Sequence, residues 1–155
     1  MSPGRPPEIV VVRSPAEMDQ ALEVRRRVFV EEQRVPAELE IDEHDGNPAE
    51  VTTALHVLAL ELGLPLATGR LILSHEADGR PHIGRVAVLK DHRGRGIGRA
   101  VMLALHDLAR ERGFTAVTLA AQVHAIGFYE KLGYAARGPL FLDAGIEHRW
   151  MDVRL

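Results

Sequence analysis

The sequence predicts an α/β (α+β) fold, with a mixed, mostly antiparallel sheet of six to seven strands flanked by helices. Three observations indicate this fold. Short runs rich in β-branched residues are separated by turn residues, and amphipathic helical patterns lie between some of them. The order is a strand and a helix, then a series of strands, then β-α-β-α-β-β. The length of 155 residues suits one domain with one substantial core.

The first two elements are a strand and a capped helix. Ile9 to Arg13 (IVVVR) is β-branched and predicts a strand. Ser14 and Pro15 are typical of a helix start, and Glu17 completes a capping box. Arg25 interrupts the apolar face of this helix, either as an edge residue whose stem reaches along the surface or as a charge directed at a cleft. We favour the edge position. The apolar face comprises Met18, Ala21, Leu22 and Phe29.

An irregular acidic segment, Gln33 to Glu50, comes next and holds six carboxylates. A segment of this length without regular structure is often functional. Its acidic part, Glu38 to Asp45, would either attract a cationic amine or polyamine or be a solvated loop, and we slightly favour the solvated loop. Three strand-like runs follow and predict an antiparallel meander with turns at Gly63-Pro65 and Asp78-Gly79: Thr53 to Leu62, Leu66 to Leu73, and Ile83 to Leu89.

The second half contains the clearest helix, from Gly96 to Gly113, where apolar residues form one stripe and Gly113 is a natural stop. The remaining elements are a buried-type strand, a short helix and two final strands joined by Asp143-Ala144-Gly145. They span Thr115 to Ala121, Ala125 to Leu132, Tyr134 to Leu142, and Ile146 to Leu155.

The composition excludes several classes of function. The net charge of −3 argues against a broad nucleic-acid-binding surface. The absence of cysteine excludes disulfides, thiolate catalysis and thiolate metal sites. No apolar run approaches the roughly 20 residues of a membrane span. The N-terminal residues 1–8 (MSPGRPPE) lack the apolar region of a secretory signal and predict a disordered lead before a domain at 9–155. These features favour a cytoplasmic protein.

Three glycines among arginines, at Gly94, Gly96 and Gly98, mark the junction between a strand and the long helix. Such a turn allows main-chain N–H groups to converge on an anion at the positive end of the helix. Arg93, Arg95 and Arg99 add charge, so the expected ligand is a phosphate or pyrophosphate. The stretch is not a P-loop, because no Gly-Lys-Ser/Thr follows, and the glycine spacing does not fit the dinucleotide fingerprint.

Two motifs in this half resemble the GNAT (Gcn5-related) N-acetyltransferase family. Arg93-x-x-Gly96-x-Gly98, preceded by Val86-Ala87-Val88, resembles the family's acyl-CoA-binding motif. The stretch from Gln122 to Tyr134, which contains Ala125-Ile126-x-Phe128-Tyr129, resembles its second motif, although family members usually carry Asn at the position of Gln122. The resemblance implies a GNAT-like sheet with about four helices, splayed at the strand that ends near Leu89.

Other segments resemble the small bacterial ElaA-like and YjcF-like members of that family. They are Val28-Phe29-Val30-Glu31-Glu32-Gln33, Glu40-Ile41-Asp42, and Ala144-Gly145-Ile146-x-His148-x-x-Met151.

The resemblance implies acetyl transfer from acetyl-CoA to a primary amine by direct attack. The turn amides would hold the pyrophosphate, the exposed edge of Val86 to Val88 would pair with the pantetheine arm, and the Val88 N–H would stabilise the oxyanion. The cofactor-binding residues are then Val86, Ala87, Val88, Arg93, Gly94, Arg95, Gly96, Ile97, Gly98, Arg99, Gln122 and Phe128. Tyr129 matches the family's tyrosine that assists the leaving thiolate.

A base that deprotonates the attacking amine is useful, and we predict Glu32, just past the first helix. The candidates are Glu32, Glu43, His44, Asp45, His82 and His148. His44 between two carboxylates suggests a metal site, but no second cluster has suitable spacing, so no metal is expected. Arg70 and Arg85 either bind a carboxylate near the cleft or lie at the sheet edge.

Two other functions stay open: a CoA-binding regulatory module without turnover, and an acyl-homoserine-lactone-type synthase, for which the chain is short. The acceptor amine is not identifiable from the sequence. Exposed strand edges are compatible with a homodimer, and no nucleic-acid or membrane partner is expected.

Overall fold

The structure is a computed structural model that describes residues 6–74 and 79–155. Residues 1–5 of the predicted lead (1–8) and Asp78 of the predicted Asp78-Gly79 turn lie outside the described residues. The first strand begins at Glu8, within the segment that the sequence assigned to the lead.

Seven strands of the described residues form one sheet in the order β1-β2-β3-β4-β5-β7-β6. All neighbours are antiparallel except β4 and β5, which are parallel. This confirms the predicted mixed, mostly antiparallel sheet. The strands are β1 (Glu8–Val11), β2 (Ala54–Glu61), β3 (Leu64–Ile72), β4 (His82–Val88), β5 (Ala116–Gln122), β6 (Ala135–Asp143) and β7 (Ile146–Arg154).

Within residues 6–74 and 79–155, four α-helices accompany the sheet: α1 (Pro15–Arg25), α2 (Ala37–Glu40), α3 (Ile97–Glu111) and α4 (Ile126–Glu130). None of the helices in the described residues is long and apolar enough to cross a membrane.

The first helix starts as the sequence predicts and then changes its winding. The Ser14 Oγ accepts a hydrogen bond from the Glu17 N–H at 3.1 Å, and the Glu17 carboxylate accepts one from the Arg13 N–H at 2.9 Å. After Arg25 the chain continues as a π-helical segment, Arg26–Glu32. Single-turn π segments are frequent at functional sites. This segment brings Phe29 to the wall of the cavity described below.

Helix α3 packs its apolar stripe on the sheet and builds the main core with it. Ile97, Val101 and Leu105 are buried, together with Met102 and Ala109. The helix approaches β3 closely at Gly69, where a Cβ atom would lie 2.9 Å from the Val101 and Leu105 side chains. This contact fixes the depth at which the N-terminus of α3 emerges beside β4.

Strands β4 and β5 pair only where the beginning of β4 meets the middle of β5, through His82 with Thr118 and Ile83 with Leu119. Beyond Ile83 the two strands diverge, and the irregular register between β3 and β4 accompanies a positive φ of 53° at Arg85. A bulge of this kind bends a strand and re-aims its side chains. The sheet therefore opens between β4 and β5, which confirms the splay predicted near Leu89.

Candidate active site

A cavity of about 420 Å³ occupies the opening between β4 and β5. The strands supply the side walls, and the π-helical segment, helix α2 and the β6–β7 turn surround it. Its lining includes Glu40, His82, Arg85, Val86, Gln122, Tyr129, His148 and Trp150. The volume of this cavity is in the range typical of small-molecule sites.

The glycine turn lies between β4 and α3. Gly94 and Gly96 have φ of 81° and 79°, a conformation that strains any other L-residue. In the described part of the chain, the N–H groups of Gly94, Arg95 and Gly96 donate no hydrogen bond. The next N–H groups open helix α3, where no preceding turn supplies acceptors. The turn thus presents a series of free donors at the positive end of the helix dipole.

Two of the arginines around this turn are already paired with carboxylates. Arg93 forms two 2.7 Å contacts with the Glu32 carboxylate and donates from Nε to the Val88 carbonyl at 3.0 Å. Arg95 is paired with Glu61. Arg99 is exposed. An anion bound at the turn would compete with Glu32 for Arg93.

The end of β4 leaves the Val88 N–H open toward the splay, whereas the Val88 carbonyl accepts from the Arg93 Nε. The Leu89 N–H donates to the Leu66 carbonyl at 2.9 Å, and Val88 is paired with Ala67. Because hydrogen-bonded and non-bonded pairs alternate in an antiparallel ladder, the Val88 N–H and C=O point away from β3. Strand β5 has diverged at this level, so it offers the Val88 N–H no partner.

Phe128 and Gly98 bring helix α4 against the start of α3. A Cβ atom at Gly98 would lie 3.4 Å from the Phe128 ring and 3.5 Å from the Val88 side chain. A side chain at this position would touch both residues at ordinary van der Waals distance, and Phe128 packs beside the turn without lining the cavity.

Tyr129 lines the cavity, and its hydroxyl forms no hydrogen bond with any described residue. Burial raises the pKa of Tyr129 to about 12. Its ring packs on Phe128 and Tyr134 with centroid distances of 5.0 and 5.7 Å. The Tyr129 hydroxyl is thus a protonated donor at neutral pH, held by packing and free to bind a ligand.

Gln122 ends β5 on the cavity wall and forms a reciprocal amide pair with Gln33. Each side-chain amide donates to the other's carbonyl, at 2.8 and 3.1 Å. The longer side chain that replaces the family's asparagine is therefore occupied by a contact that joins β5 to the segment after the first helix. The sequence offered no signal for this partner, because the two residues are 89 positions apart.

Glu32, the predicted base, does not lie beside Tyr129. It is outside the cavity, and hydrogen bonds from Arg93 lower its pKa. A carboxylate that is stabilised by an arginine is a weak proton acceptor. The geometry thus gives Glu32 a role in holding Arg93 rather than one in proton transfer.

The edge position favoured for Arg25 is wrong. Its side chain is fully buried, with Nε 2.6 Å from Glu40 and Nη1 2.6 Å from Asp45. A group with five N–H donors needs such partners when it leaves water.

The solvated-loop interpretation of Glu38 to Asp45 is also wrong for its central carboxylates. Arg70 is buried and binds Asp42 at 2.8 Å and Asp45 at 3.0 Å. Arg85 donates to the Glu40 carbonyl at 3.1 Å. Both arginines therefore bind the acidic segment instead of lying free at the sheet edge. Of the six carboxylates, Glu38, Glu43 and Glu50 remain exposed.

The other predicted base candidates are separated by the fold. Asp45 is bound to arginines, and His44 contacts the Thr53 hydroxyl at 2.8 Å. Asp42, Glu43 and His44 have potential ligand atoms within 4.8 Å of one another, but Asp42 is already bound to Arg70. His82 and His148 alone among the candidates line the cavity.

Comparison of the chain with known protein families identifies the class of protein. The family model described as "Acetyltransferase (GNAT) family" matches residues 18–134. The chain belongs to the GNAT acetyltransferase family, whose members are acyltransferases.

Its relatives specify the branch of the family. The chain is 38% identical to the uncharacterised N-acetyltransferase YjcF of Bacillus subtilis, over 92% of this chain and 96% of that protein. A crystal structure of a candidate N-acetyltransferase from Lactobacillus plantarum superposes with a TM-score of 0.82 and 30% identity, covering 97% and 99% of the two chains. Escherichia coli ElaA gives 0.79 and 26%, covering 94% and 98%. These matches confirm the predicted resemblance to ElaA-like and YjcF-like proteins.

More distant structures share the fold alone. An aminoglycoside 6'-N-acetyltransferase complexed with coenzyme A gives a TM-score of 0.69 at 17% identity. The CoA-dependent acyl-homoserine lactone synthase BjaI gives 0.76 at 16% identity.

Proposed function

We propose that this protein transfers an acetyl group from acetyl-CoA to a primary amine of a small molecule or peptide. The observation that carries the proposal is the succession of three features along β4. Strand β4 lines the cavity that holds the Tyr129 hydroxyl, it is unpaired with β5 beyond Ile83, and it leads into the glycine turn with free N–H groups. The complex of a fold neighbour with coenzyme A agrees with this donor.

The cofactor would lie across these features in order. Its pyrophosphate would bind the N–H groups of Gly94 to Gly98 at the start of α3. The amides of the pantetheine arm would pair with the open edge of Val86 to Val88, as a peptide adds to a sheet edge. The thioester would then enter the cavity beside Tyr129.

The chemistry requires two stabilised charges. The Val88 N–H, directed at the splay, would donate to the oxyanion that forms when the amine attacks the thioester carbon. Tyr129 would assist the leaving thiolate. Free thiols have a pKa of about 8.5, and the pKa of Tyr129 is raised to about 12. Complete proton transfer from Tyr129 is therefore uphill, and its contribution is a hydrogen bond to the thiolate.

Two measurements test the proposal. Isothermal calorimetry should show saturable binding of acetyl-CoA. Release of free thiol should then require an amine, tested with putrescine, spermidine, tyramine, lysine methyl ester and kanamycin as acceptors. Binding without turnover on any amine would favour a regulatory CoA-binding module, and no binding would exclude both functions.

A further inference from the structure

We infer that His148 is the general base that removes a proton from the acceptor ammonium before it attacks the thioester. The inference rests on the proposed acetyl transfer and deepens it by assigning the acceptor side of the site. Cationic amines are the acceptors that need such a base, because an ammonium has no lone pair with which to attack.

The fold brings His148 to the same cavity as Tyr129. His148 lies on β7 directly opposite Gln122 of β5, at the level where β5 ends. Its side chain lines the cavity and is only 8% exposed. Its ring stacks on Phe141 with a centroid distance of 5.8 Å and an interplanar angle of 25°. The stacking holds the plane of the imidazole.

The hydrogen bonding of His148 determines which nitrogen is available. Nδ1 lies 2.7 Å from the carbonyl oxygen of Ile146. A carbonyl only accepts hydrogen bonds, so Nδ1 carries the proton in the neutral ring, and Nε2 carries a lone pair. This Nε2 has no hydrogen-bond partner among the described residues. Nε2 also keeps some contact with solvent. In the described part of the chain, the one fully buried side-chain N or O atom without a hydrogen-bond partner is the Arg70 Nε, not the His148 Nε2. The lone pair of Nε2 thus remains available to a ligand.

Six other ionisable groups lie on the cavity wall: Glu40, Arg70, His82, Arg85, Tyr129 and Asp143. Tyr129 is the donor to the thiolate, and His82 is the alternative histidine, with its ring edge-on to Trp150 at a centroid distance of 5.6 Å. The remaining four are less suited to this step. Glu40 is bound to Arg25, and Arg70 to Asp42 and Asp45. Arg85 donates to backbone carbonyls of the acidic segment. Asp143 lines the cavity but is exposed to solvent, unlike the buried His148.

The proton transfers balance as follows. The neutral His148 Nε2 takes one proton from R–NH3+ and gives R–NH2, which attacks the thioester carbonyl carbon. The C–N bond forms, the tetrahedral intermediate collapses, and the C–S bond breaks. The second proton lost from nitrogen neutralises the CoA thiolate, and His148 returns the first proton to solvent.

The pH dependence of His148→Gln tests the assignment, with the panel amine that turns over fastest. Without the base, only the free amine reacts. We expect kcat/KM at pH 7 to fall by about 100-fold or more. The kcat/KM of the variant should rise tenfold per pH unit, because the fraction of free amine rises in the same way. The kcat/KM of the wild type should instead level off once a single group on the enzyme has lost its proton. The deficit should therefore shrink steadily as the pH rises.

Matched controls separate this role from a structural one. His124→Gln, at an exposed histidine outside the cavity, should keep the wild-type profile. His148→Gln should keep the wild-type affinity for acetyl-CoA and the wild-type melting temperature. The assignment would be overturned if His148→Gln kept the wild-type pH profile. It would also be overturned if Glu32→Gln, rather than His148→Gln, lost the pH-independent region of kcat/KM. Failure of the proposed function would differ, because the wild type itself would then show no turnover.

The tautomer gives a readout that needs no acceptor. Long-range ¹H–¹⁵N spectra of the wild type bound to CoA, assigned by comparison with His148→Gln, should show Nδ1 protonated and Nε2 bare in the neutral ring. A neutral ring protonated at Nε2 would contradict the inference regardless of turnover.

Discussion

Tyr129 and Tyr134 are adjacent aromatic residues whose hydroxyls have opposite surroundings. The Tyr129 hydroxyl is free in the cavity, whereas the Tyr134 hydroxyl lies 2.6 Å from the buried His106 Nε2. We predict that Tyr129→Phe lowers kcat by about 100-fold, the range typical of a lost proton-transfer or donor group. Its acetyl-CoA affinity and stability should be unchanged, because no protein contact is lost. Thiol-release kinetics and urea denaturation measure the two effects.

Tyr134→Phe is the matched control for that substitution. It removes the partner of a buried histidine, so the expected cost is about 1–3 kcal/mol of unfolding free energy, with kcat retained. If both variants lost activity equally, the hydroxyl of Tyr129 would have no special role in the reaction.

Glu32 holds the Arg93 guanidinium that a diphosphate would need. We predict that Glu32→Gln binds acetyl-CoA about 2–5-fold more tightly, because an exposed ion pair is worth about 0.2–1 kcal/mol and no longer competes. Calorimetry measures the change. Glu61→Gln, which frees Arg95 in the same way, provides a second test at the opposite side of the turn. Weaker binding in both variants would show that the carboxylates organise the turn instead of competing with the cofactor.

At the scale of elements, the glycine turn makes a prediction that separates strain from function. Gly96 and Gly63 both have positive φ, 79° and 78°, and both have open space where a Cβ would lie. A side chain therefore introduces similar backbone strain at each, roughly 1 kcal/mol. We predict that Gly96→Glu abolishes acetyl-CoA binding and leaves the protein folded, since a carboxylate then occupies the anion site.

Gly63→Glu, in the β2–β3 turn, should lose similar stability and bind acetyl-CoA normally. Calorimetry measures the affinity of each variant for acetyl-CoA, and circular dichroism measures whether each variant is folded. Unchanged affinity in Gly96→Glu would remove the turn from the cofactor site.

Elements whose determinants are local were predictable from sequence. The long helix, predicted from Gly96 to Gly113, is found at Ile97–Glu111 because its stripe and its terminal glycines are encoded within the segment. The turn between β6 and β7 was also encoded locally, since Ala144 and Gly145 both adopt positive φ, as a two-residue hairpin requires. The short helix Ala37–Glu40 was missed, because four residues carry too little periodicity to predict it.

At the scale of the whole molecule, the acidic segment shows what sequence patterns could not supply. Arg25, Arg70 and Arg85 come from a helix and two strands, whereas Glu40 ends helix α2 and Asp42 and Asp45 lie in the segment after it. Taken alone in the sequence, each of these charged residues resembles a surface residue. Only the folded structure pairs the three arginines with the three carboxylates. The same limit applied to the base: the pattern around His148 was visible, but its free Nε2 depends on a carbonyl two residues away and on a cavity built from distant strands.

The buried network predicts how stability depends on pH. Burial alone would raise the pKa of Asp45, but hydrogen bonds and charge from Arg25 outweigh it and lower that pKa. The unfolded chain therefore binds a proton at Asp45 more readily than the folded chain does. Stability consequently rises with pH through the range in which the Asp45 carboxylate titrates. Burial also lowers the pKa of His56, which acts in the same direction at higher pH. We expect the free energy of unfolding to fall as pH drops from about 6.5, where a free histidine protonates, and more steeply below about 4, the range of a free aspartate.

Asp45→Asn isolates the carboxylate's share of this behaviour. At pH 7 it leaves Arg25 and Arg70 short of a buried counter-charge, so we expect a loss of about 3–5 kcal/mol. Asp107→Asn, at an exposed pair with Arg110, should cost about 0.5 kcal/mol or less. Urea denaturation across the pH range should show that the gap between wild type and Asp45→Asn persists from pH 7 down to about pH 5. The gap should narrow below pH 4 as the wild-type carboxylate takes up its proton. A gap that persists at the lowest pH would mean that the side chain acts through packing, and the acidic segment would then owe its position to shape instead of charge.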